Sequence, residues 1–316
     1  MHFQTRSRRR PVLSVCVSVC VCTYFRPALL RRCLTSLLEQ QAGIEYEVVL
    51  VDNDRGGSAQ AVFQELAGAF ARRGRSIQYG IEPEQGISAA RNRCVQMARG
   101  RYVAFLDDDE TADPKWLETL HGAILKYEAD GVFGPVIPYF PDGFPEWQKP
   151  LFARKCAPTG CDIRDRWMAT GNVLVKTDVL RRRAGPFNAA LGRIGGGDQE
   201  IFRWLSDRGA RFVWCNEALA YEVQSLERAS LKWHLRRAYR GGWGFSRQKA
   251  TSLGFGKALA LTLAWVIPAG IKNGCKAVKS GNCRRIGLSW MRTAATQCGK
   301  IGYFLGLNVK EYTERK

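Results

Sequence analysis

The densest chemistry in this chain is three consecutive carboxylates, Asp107, Asp108 and Asp109, in the run FLDDDE over residues 105–110. Adjacent carboxylates repel one another, so such a run is comfortable only when solvated or when holding a cation. Hard oxygen ligands suit Mg2+ or Mn2+, above all where a substrate diphosphate completes the coordination shell. Taken alone, the triplet also reads as an acidic, solvated turn. Its position directly after an apolar run favours the first reading. A further carboxylate, Asp198, ends the glycine-rich run GRIGGGD and opens an expected helix, where it would at least act as N-cap.

These residues need elements to hold them, and the first half of the chain alternates regularly. The β-branched run Val12–Cys22 reads as a buried strand, and Pro27–Gln41 has helical apolar spacing at Leu30, Leu34, Leu37 and Leu38. Glu47–Asp52 reads as a strand, Ser58–Arg73 as a helix, Ile77–Ile81 as a strand, Ile87–Ala98 as a helix and Tyr102–Leu106 as a strand. Strands and helices alternating over short connections mean an α/β domain around a mostly parallel sheet. In such sheets ligands bind beyond the carboxyl ends of the strands, which singles out Thr23, Asp52–Asp54 and Asp107–Asp109. Asp113-Pro114 should open a helix to about Tyr127. Residues 131–165 read as extended chain and loops, Asn172–Lys176 as a strand, Asp198–Arg208 as a helix and Arg211–Trp214 as a late strand.

In chain order, TYFRP, VDND, GISAARN, LDDDE, the TGN turn and the GGGDQE turn together resemble family 2 glycosyltransferases, over roughly residues 12–240. The likeness is strongest to bacterial exopolysaccharide transferases of the succinoglycan type. It implies the GT-A nucleotide-diphospho-sugar transferase fold and an inverting, metal-dependent transfer from a nucleotide-diphospho-sugar, with UDP as the expected nucleotide. It further implies that Thr23 and Asp52 contact the base and ribose, with the Asp52 carboxylate accepting a base N–H. Arg91 would help to hold the nucleotide. Asp107 would face the ribose or a metal-bound water, Asp108 would stand beside it as a substrate contact, and Asp109 would be the main metal ligand. Asp198 becomes the expected general base, although Gly197 stands where the family usually has a second acidic residue. Gly171 and Asn172 fall where the family's acceptor-side loop approaches the sugar, with a plain turn as the alternative. Arg228, Arg237 and Arg240 fall where the family often places cations near the donor diphosphate.

The charge is unevenly spread. The chain carries a formal net charge of +19, yet residues 228–310 hold sixteen Lys and Arg with no Asp or Glu, while residues 11–227 are close to neutral. This predicts three parts: a basic arm over 1–11, a catalytic domain over 12–227 and a basic, mainly helical, membrane-associating extension over 228–316. The uncharged stretch Ala258–Ile271 has fourteen residues, short of the roughly 20 that cross a bilayer, and Pro268 and Gly270 interrupt it. An in-plane or re-entrant segment on an anionic membrane surface is expected, with a tilted span over 253–271 as the alternative. The implied place is the cytoplasmic face of the plasma membrane, and the implied acceptor is a lipid-diphosphate-linked saccharide or a polysaccharide.

Eleven cysteines, an odd number, do not form a disulfide pattern, and with three histidines no zinc spacing is seen. Free thiols in a reducing compartment are expected. A signal-peptide reading of RSRRRP and the apolar run after it fails for want of a small-residue cleavage site. A nucleic-acid-binding protein would explain the basic module, but nucleic acid is not expected as a partner because that reading leaves the ordered acidic motifs unexplained. A sugar nucleotidyltransferase would need a glycine-rich phosphate loop after the first strand, which TYFRP does not offer.

Overall fold

A computed structural model describes residues 15–154, 156–164, 168–192, 195–264 and 283–307. The first alternation runs β1 (Val17–Thr23), α1 (Pro27–Leu38), β2 (Tyr46–Asp52), α2 (Gln60–Arg72), β3 (Ser76–Ile81), α3 (Ile87–Met97) and β4 (Tyr102–Leu106). There follow β5 (Glu110–Ala112), α4 (Trp116–Lys126), β6 (Gly131–Phe133), β7 (Val136–Tyr139), β8 (Asn172–Lys176), α5 (Thr177–Leu180), α6 (Gly197–Ser206), β9 (Phe212–Trp214) and β10 (Ala220–Val223). The C-terminal part is helical, with α7 (Leu231–Leu253), α8 (residues 255–264) and α9 (Cys283–Phe304).

Seven strands form the central sheet in the order β3-β2-β1-β4-β8-β6-β9. Strands β3, β2, β1 and β4 are mutually parallel, β8 runs antiparallel to both β4 and β6, and β6 and β9 are parallel again. Burial matches this arrangement: β2 and β4 are buried along their whole length, as strands covered on both faces must be. One face carries α1, α2 and α4 over Leu30, Leu34, Phe70, Trp116 and Leu120, and the other carries α3 and α6 over Cys94, Val95, Ile201 and Phe202. A polar exception sits inside β2. Glu47 is fully buried and accepts hydrogen bonds from Ser18 Oγ (2.7 Å), the Arg99 backbone N–H (2.9 Å) and Gln78 Nε2 (2.8 Å), besides a bidentate Arg99 guanidinium. Burial alone would raise its pKa, but the bonds from Arg99 and Ser18 hold it below the usual carboxylate range.

A second, three-stranded sheet, β5-β10-β7, stands beyond the carboxyl end of β4. Its members were not legible as strands: each has only three or four residues, and it forms by pairing segments more than eighty positions apart. Helices α7 and α9 cross in close contact because glycines remove the side chains at the crossing. A Cβ on Gly299 would lie 1.9 Å from the Tyr239 carbonyl oxygen, and one on Gly242 would lie 2.0 Å from that of Thr296. The expected arm over 1–11 lies outside the described residues, as does the second half, 265–271, of the apolar stretch 258–271. Among the described residues the cysteines are free thiols, and no helix is long and apolar enough to cross a membrane.

Candidate active site

Strands β2 and β1 on one side, and β4 on the other, leave the sheet with their carboxyl ends at the same edge, and between β1 and β4 the strand order reverses. Thr23 at the exit of β1 and Asp108 after β4 meet across that reversal, Thr23 Oγ1 donating to Asp108 Oδ2 at 2.7 Å. Arg26, in the turn before α1, donates to Asp108 Oδ1 at 3.0 Å and reaches Asp109 Oδ2 at 3.3 Å. Arg26 lies within TYFRP, and no role was expected of it. Its signal was a lone cation directly after the first strand exit.

The three aspartates occupy three different environments. Asp107 is the open one, its side chain 44% exposed, with Arg91 of α3 at 3.5 Å from Oδ1. Asp108 is buried by its partners, and burial raises its pKa although Arg26 and Thr23 oppose the shift. Asp109 is 12% exposed, and its Oδ2 also receives Arg228 at 3.1 Å. Burial pushes the Asp109 pKa up to about 7, reinforced by repulsion from Asp107, Glu222 and Asp108 and opposed by Arg26. Beneath them Glu110, fully buried, accepts the Asp107 backbone N–H at 3.1 Å and is held well above the carboxylate range by burial and by Asp107, Asp109 and Glu222.

The small sheet supplies the site's other wall. Pairing of β5 with β10 sets Glu222 opposite Glu110, and the Val223 N–H donates to the Asp109 carbonyl at 3.2 Å. Glu222 in turn binds Arg228 Nη1 at 2.5 Å and the Arg154 guanidinium. Burial would raise the Glu222 pKa, yet Arg154 and Arg228 keep it below the usual range. Glu222 and Arg154 were not found from sequence: one lies in a four-residue strand and the other in an irregular loop, and neither carries a motif.

Three expected contacts take a different form. Asp52 faces inward with no exposed surface, its Oδ2 accepting Ala59 N–H (2.7 Å) and Tyr79 OH (3.1 Å), and its Oδ1 accepting Asp54 N–H (3.1 Å) and Ser58 Oγ (3.3 Å). Its carboxylate caps the approach to α2 and does not present itself to a base. Asn172 is likewise interior rather than acceptor-facing: Oδ1 takes the Trp116 indole N–H at 2.8 Å, and Nδ2 donates to the Pro135 and Ala218 carbonyls at 2.9 and 2.7 Å. Gly171 is buried too, and a Cβ there would sit 2.5 Å from Glu110 Oε1. Glycine is required at 171 by the buried carboxyl beside it, not by a passing sugar.

Asp198 lies in the first turn of α6, half-buried, its Oδ1 accepting the Gln199 N–H at 2.9 Å. The loop before it docks on the start of α3, where the Ile87 N–H donates to the Gly192 carbonyl at 3.2 Å. Helix α3 also carries Arg91, so a single helix links the Asp198 turn to Asp107. Glu200, two residues on, is bound bidentately by Arg183 at 2.7 Å through each oxygen. Arg237 and Arg240 stand on α7, and Arg237 lines a cavity with Arg154, Arg228 and Arg292 instead of touching the aspartates.

Asp107 and Asp109 offer hard oxygens only. Among the described residues no group of three or more His, Cys, Asp or Glu closes around one point. The open Asp107 with the largely buried Asp109 fits Mg2+ or Mn2+ whose shell is completed by phosphate oxygens, and does not fit a closed structural metal centre.

A family model described as "Glycosyl transferase family 2" matches residues 18–185. The succinoglycan biosynthesis protein ExoM of Rhizobium meliloti (strain 1021) is 30% identical over 95% of this chain and 96% of its own. The glycosyltransferase AglE of Haloferax volcanii is 28% identical over 64% of this chain and 65% of its own. Among solved structures, the mannosyltransferase PcManGT of Pyrobaculum calidifontis, in complex with GDP-Man and Mn2+, superposes with a TM-score of 0.63 at 18% identity, covering 94% of this chain and 89% of that one. S. aureus TarS 1-349 in complex with UDP-GlcNAc gives 0.52 at 14% identity, covering 92% of each. The fold is therefore the one these transferases share, GT-A, with a helical C-terminal part.

Proposed function

The chain belongs to glycosyl transferase family 2, and from that premise we propose that it transfers a sugar, with inversion, from a UDP-sugar to a lipid-linked or polysaccharide hydroxyl in exopolysaccharide synthesis. The observation that carries this reading is the cluster Asp107–Asp109 at the strand-order reversal between β1 and β4, clamped by Thr23, Arg26 and Arg228. Asp198 accepts the proton of the acceptor hydroxyl, whose oxygen attacks the sugar C1. The bond from C1 to the diphosphate breaks, and the nucleoside diphosphate leaves with the electron pair. A divalent cation held by Asp109 and Asp107 would supply charge neutralisation to that departing group. Arg26 and Arg228, now tied to Asp108 and Asp109, are placed to turn toward the same oxygens. Likeness to a succinoglycan biosynthesis protein over nearly the whole chain supports the exopolysaccharide assignment.

The catalytic domain would work at the cytoplasmic face of the plasma membrane, docked through the C-terminal helices. Exposed Phe255, Leu261 and Leu263 on α8, with Trp290 and Met291 on α9, support this, since they stand among the basic residues of that part. The deciding experiment is a donor screen with purified protein, Mn2+ or Mg2+ and a panel of nucleotide sugars, read as nucleotide release. A response to UDP-sugars that is abolished by EDTA and by Asp109→Ala is expected. Release that is unaffected by both would overturn the assignment of the aspartates.

A further inference from the structure

Beside the aspartates, but lined by none of them, is a cavity of about 260 Å3 between the loop after β7 and helices α7 and α9. Four guanidiniums converge on it, from Arg154, Arg228, Arg237 and Arg292, against one carboxylate, Glu222. Glu222 is already engaged by Arg154 and Arg228. Arg237 and Arg292 have no carboxylate within salt-bridge distance among the described residues, and Arg237 is steadied only by the face of Trp233, 5.2 Å from its ring centre. Like charges gathered without counter-charge are costly unless an anion joins them.

His234 supplies an independent sign. It lines the same cavity at 2% exposure, and its Nδ1 has no hydrogen-bond partner. Its Nε2 lies 3.0 Å from Gln148 Oε1, while Gln148 Nε2 donates to the Ala229 carbonyl at 3.0 Å. That pairing makes Nε2 the protonated nitrogen and leaves Nδ1 as a buried acceptor without a donor. Burial, then Arg292 and Arg237, drive the His234 pKa down to about 4, and burial also lowers that of both arginines although Arg237 still reaches solvent.

A second cavity, of about 300 Å3, adjoins the first and shares Ala153 and Arg154 with it. Apart from Lys149 and the shared Arg154 its lining is mostly apolar, with Pro135, Ile137, Pro138, Phe140 and Pro150. A cationic chamber opening beside an apolar one is the shape of an amphiphile with an anionic head.

We propose that these neighbouring cavities bind a lipid diphosphate, its head among Arg154, Arg228, Arg237 and Arg292 and the start of its hydrocarbon chain against Ile137 and Phe140. The site rests on the transferase reading for its purpose: it would hold the lipid-linked acceptor while the acceptor's sugar reaches toward the donor at Asp109. It does not rest on that reading for its existence.

The test uses the full chain and calorimetric titration with farnesyl diphosphate, a water-soluble lipid diphosphate, beside inorganic pyrophosphate, farnesol and UDP with Mn2+. Farnesyl diphosphate should bind at least tenfold more tightly than either pyrophosphate or farnesol. The double variant Arg237→Gln/Arg292→Gln, checked for unchanged circular dichroism, should weaken it tenfold or more while UDP affinity stays within twofold. Asp109→Asn should do the reverse. Should the double variant misfold, Ile137→Lys, at a part-exposed position, is expected to weaken farnesyl diphosphate alone and leave pyrophosphate unchanged. Equal binding of pyrophosphate and farnesyl diphosphate would overturn the lipid half of the proposal. Loss of farnesyl diphosphate binding in Asp109→Asn, with none in the arginine variant, would overturn the site by placing the ligand among the aspartates. A silent donor screen with intact farnesyl diphosphate binding would instead sink the transferase reading and leave the anion site standing.

Discussion

At the scale of single residues, the site divides into groups that present themselves and groups that hold others in place. Asp107, Asp109 and Asp198 present carboxylates; Thr23, Arg26, Glu110 and Glu222 fix the backbone and charge around them. Asp198→Asn keeps the helix-start geometry but removes the proton acceptor. It should cut turnover by roughly 10²–10⁴-fold with UDP affinity unchanged, as measured by steady-state kinetics beside calorimetry. Near-normal turnover would remove Asp198 from the mechanism. The presenting carboxylates were legible because chemistry at a strand exit is a local pattern. Of the holding groups Thr23 was legible as a strand exit, but Arg26, Arg154 and Glu222 were not, because they act through contacts of 68 to 83 positions in sequence separation that only the folded chain creates. Asp52 shows the converse error, a strand-exit carboxylate whose four hydrogen bonds turn it inward to tie the β2 exit to α2 and β3.

At the scale of elements, every strand and helix expected from 46 to 106 is present within two residues at each end, because apolar periodicity decides elements that are buried against one sheet. Tyr102–Leu106 and Asn172–Lys176 fall where expected to the residue. The direction of β8 was not readable, since periodicity carries no orientation. The α7–α9 crossing yields a sharp expectation. Gly299→Ala places a methyl group where the Tyr239 carbonyl stands, so the two helices must part. Limited proteolysis should then cleave α9 at least tenfold faster, with the sheet domain staying resistant. Helix α7 carries a pH dependence as well. The unfolded chain protonates His234 near 6.5, whereas the folded chain does so only near 4. Stability is therefore full above about pH 6.5 and falls as the pH drops toward 4, by at most about 1.4 kcal/mol per unit. Thermal melts between pH 7 and 4.5 should show a shallower decline in His234→Gln than in the native protein.

At the scale of the whole molecule, the partition of charge matters more than its sum. The net +19 looks like one property, yet the part bearing the aspartates is nearly neutral and the excess lies with the C-terminal helices. Binding to vesicles containing anionic lipid should thus depend on those helices and weaken several-fold between 50 and 300 mM salt, by co-sedimentation. Binding that is indifferent to salt would leave only the exposed apolar residues of α8 and α9 to explain it. Arg228 is the point where these parts touch, with one nitrogen on Asp109 and another on Glu222 in the arginine-lined cavity. A guanidinium held from two sides cannot answer a ligand on one side without altering the other. Thermodynamic reciprocity then requires that whatever factor the donor imposes on affinity in the neighbouring cavity is returned, equal in size, by the occupant of that cavity to the donor. Whether the two substrates help or hinder one another would be written into a single side chain.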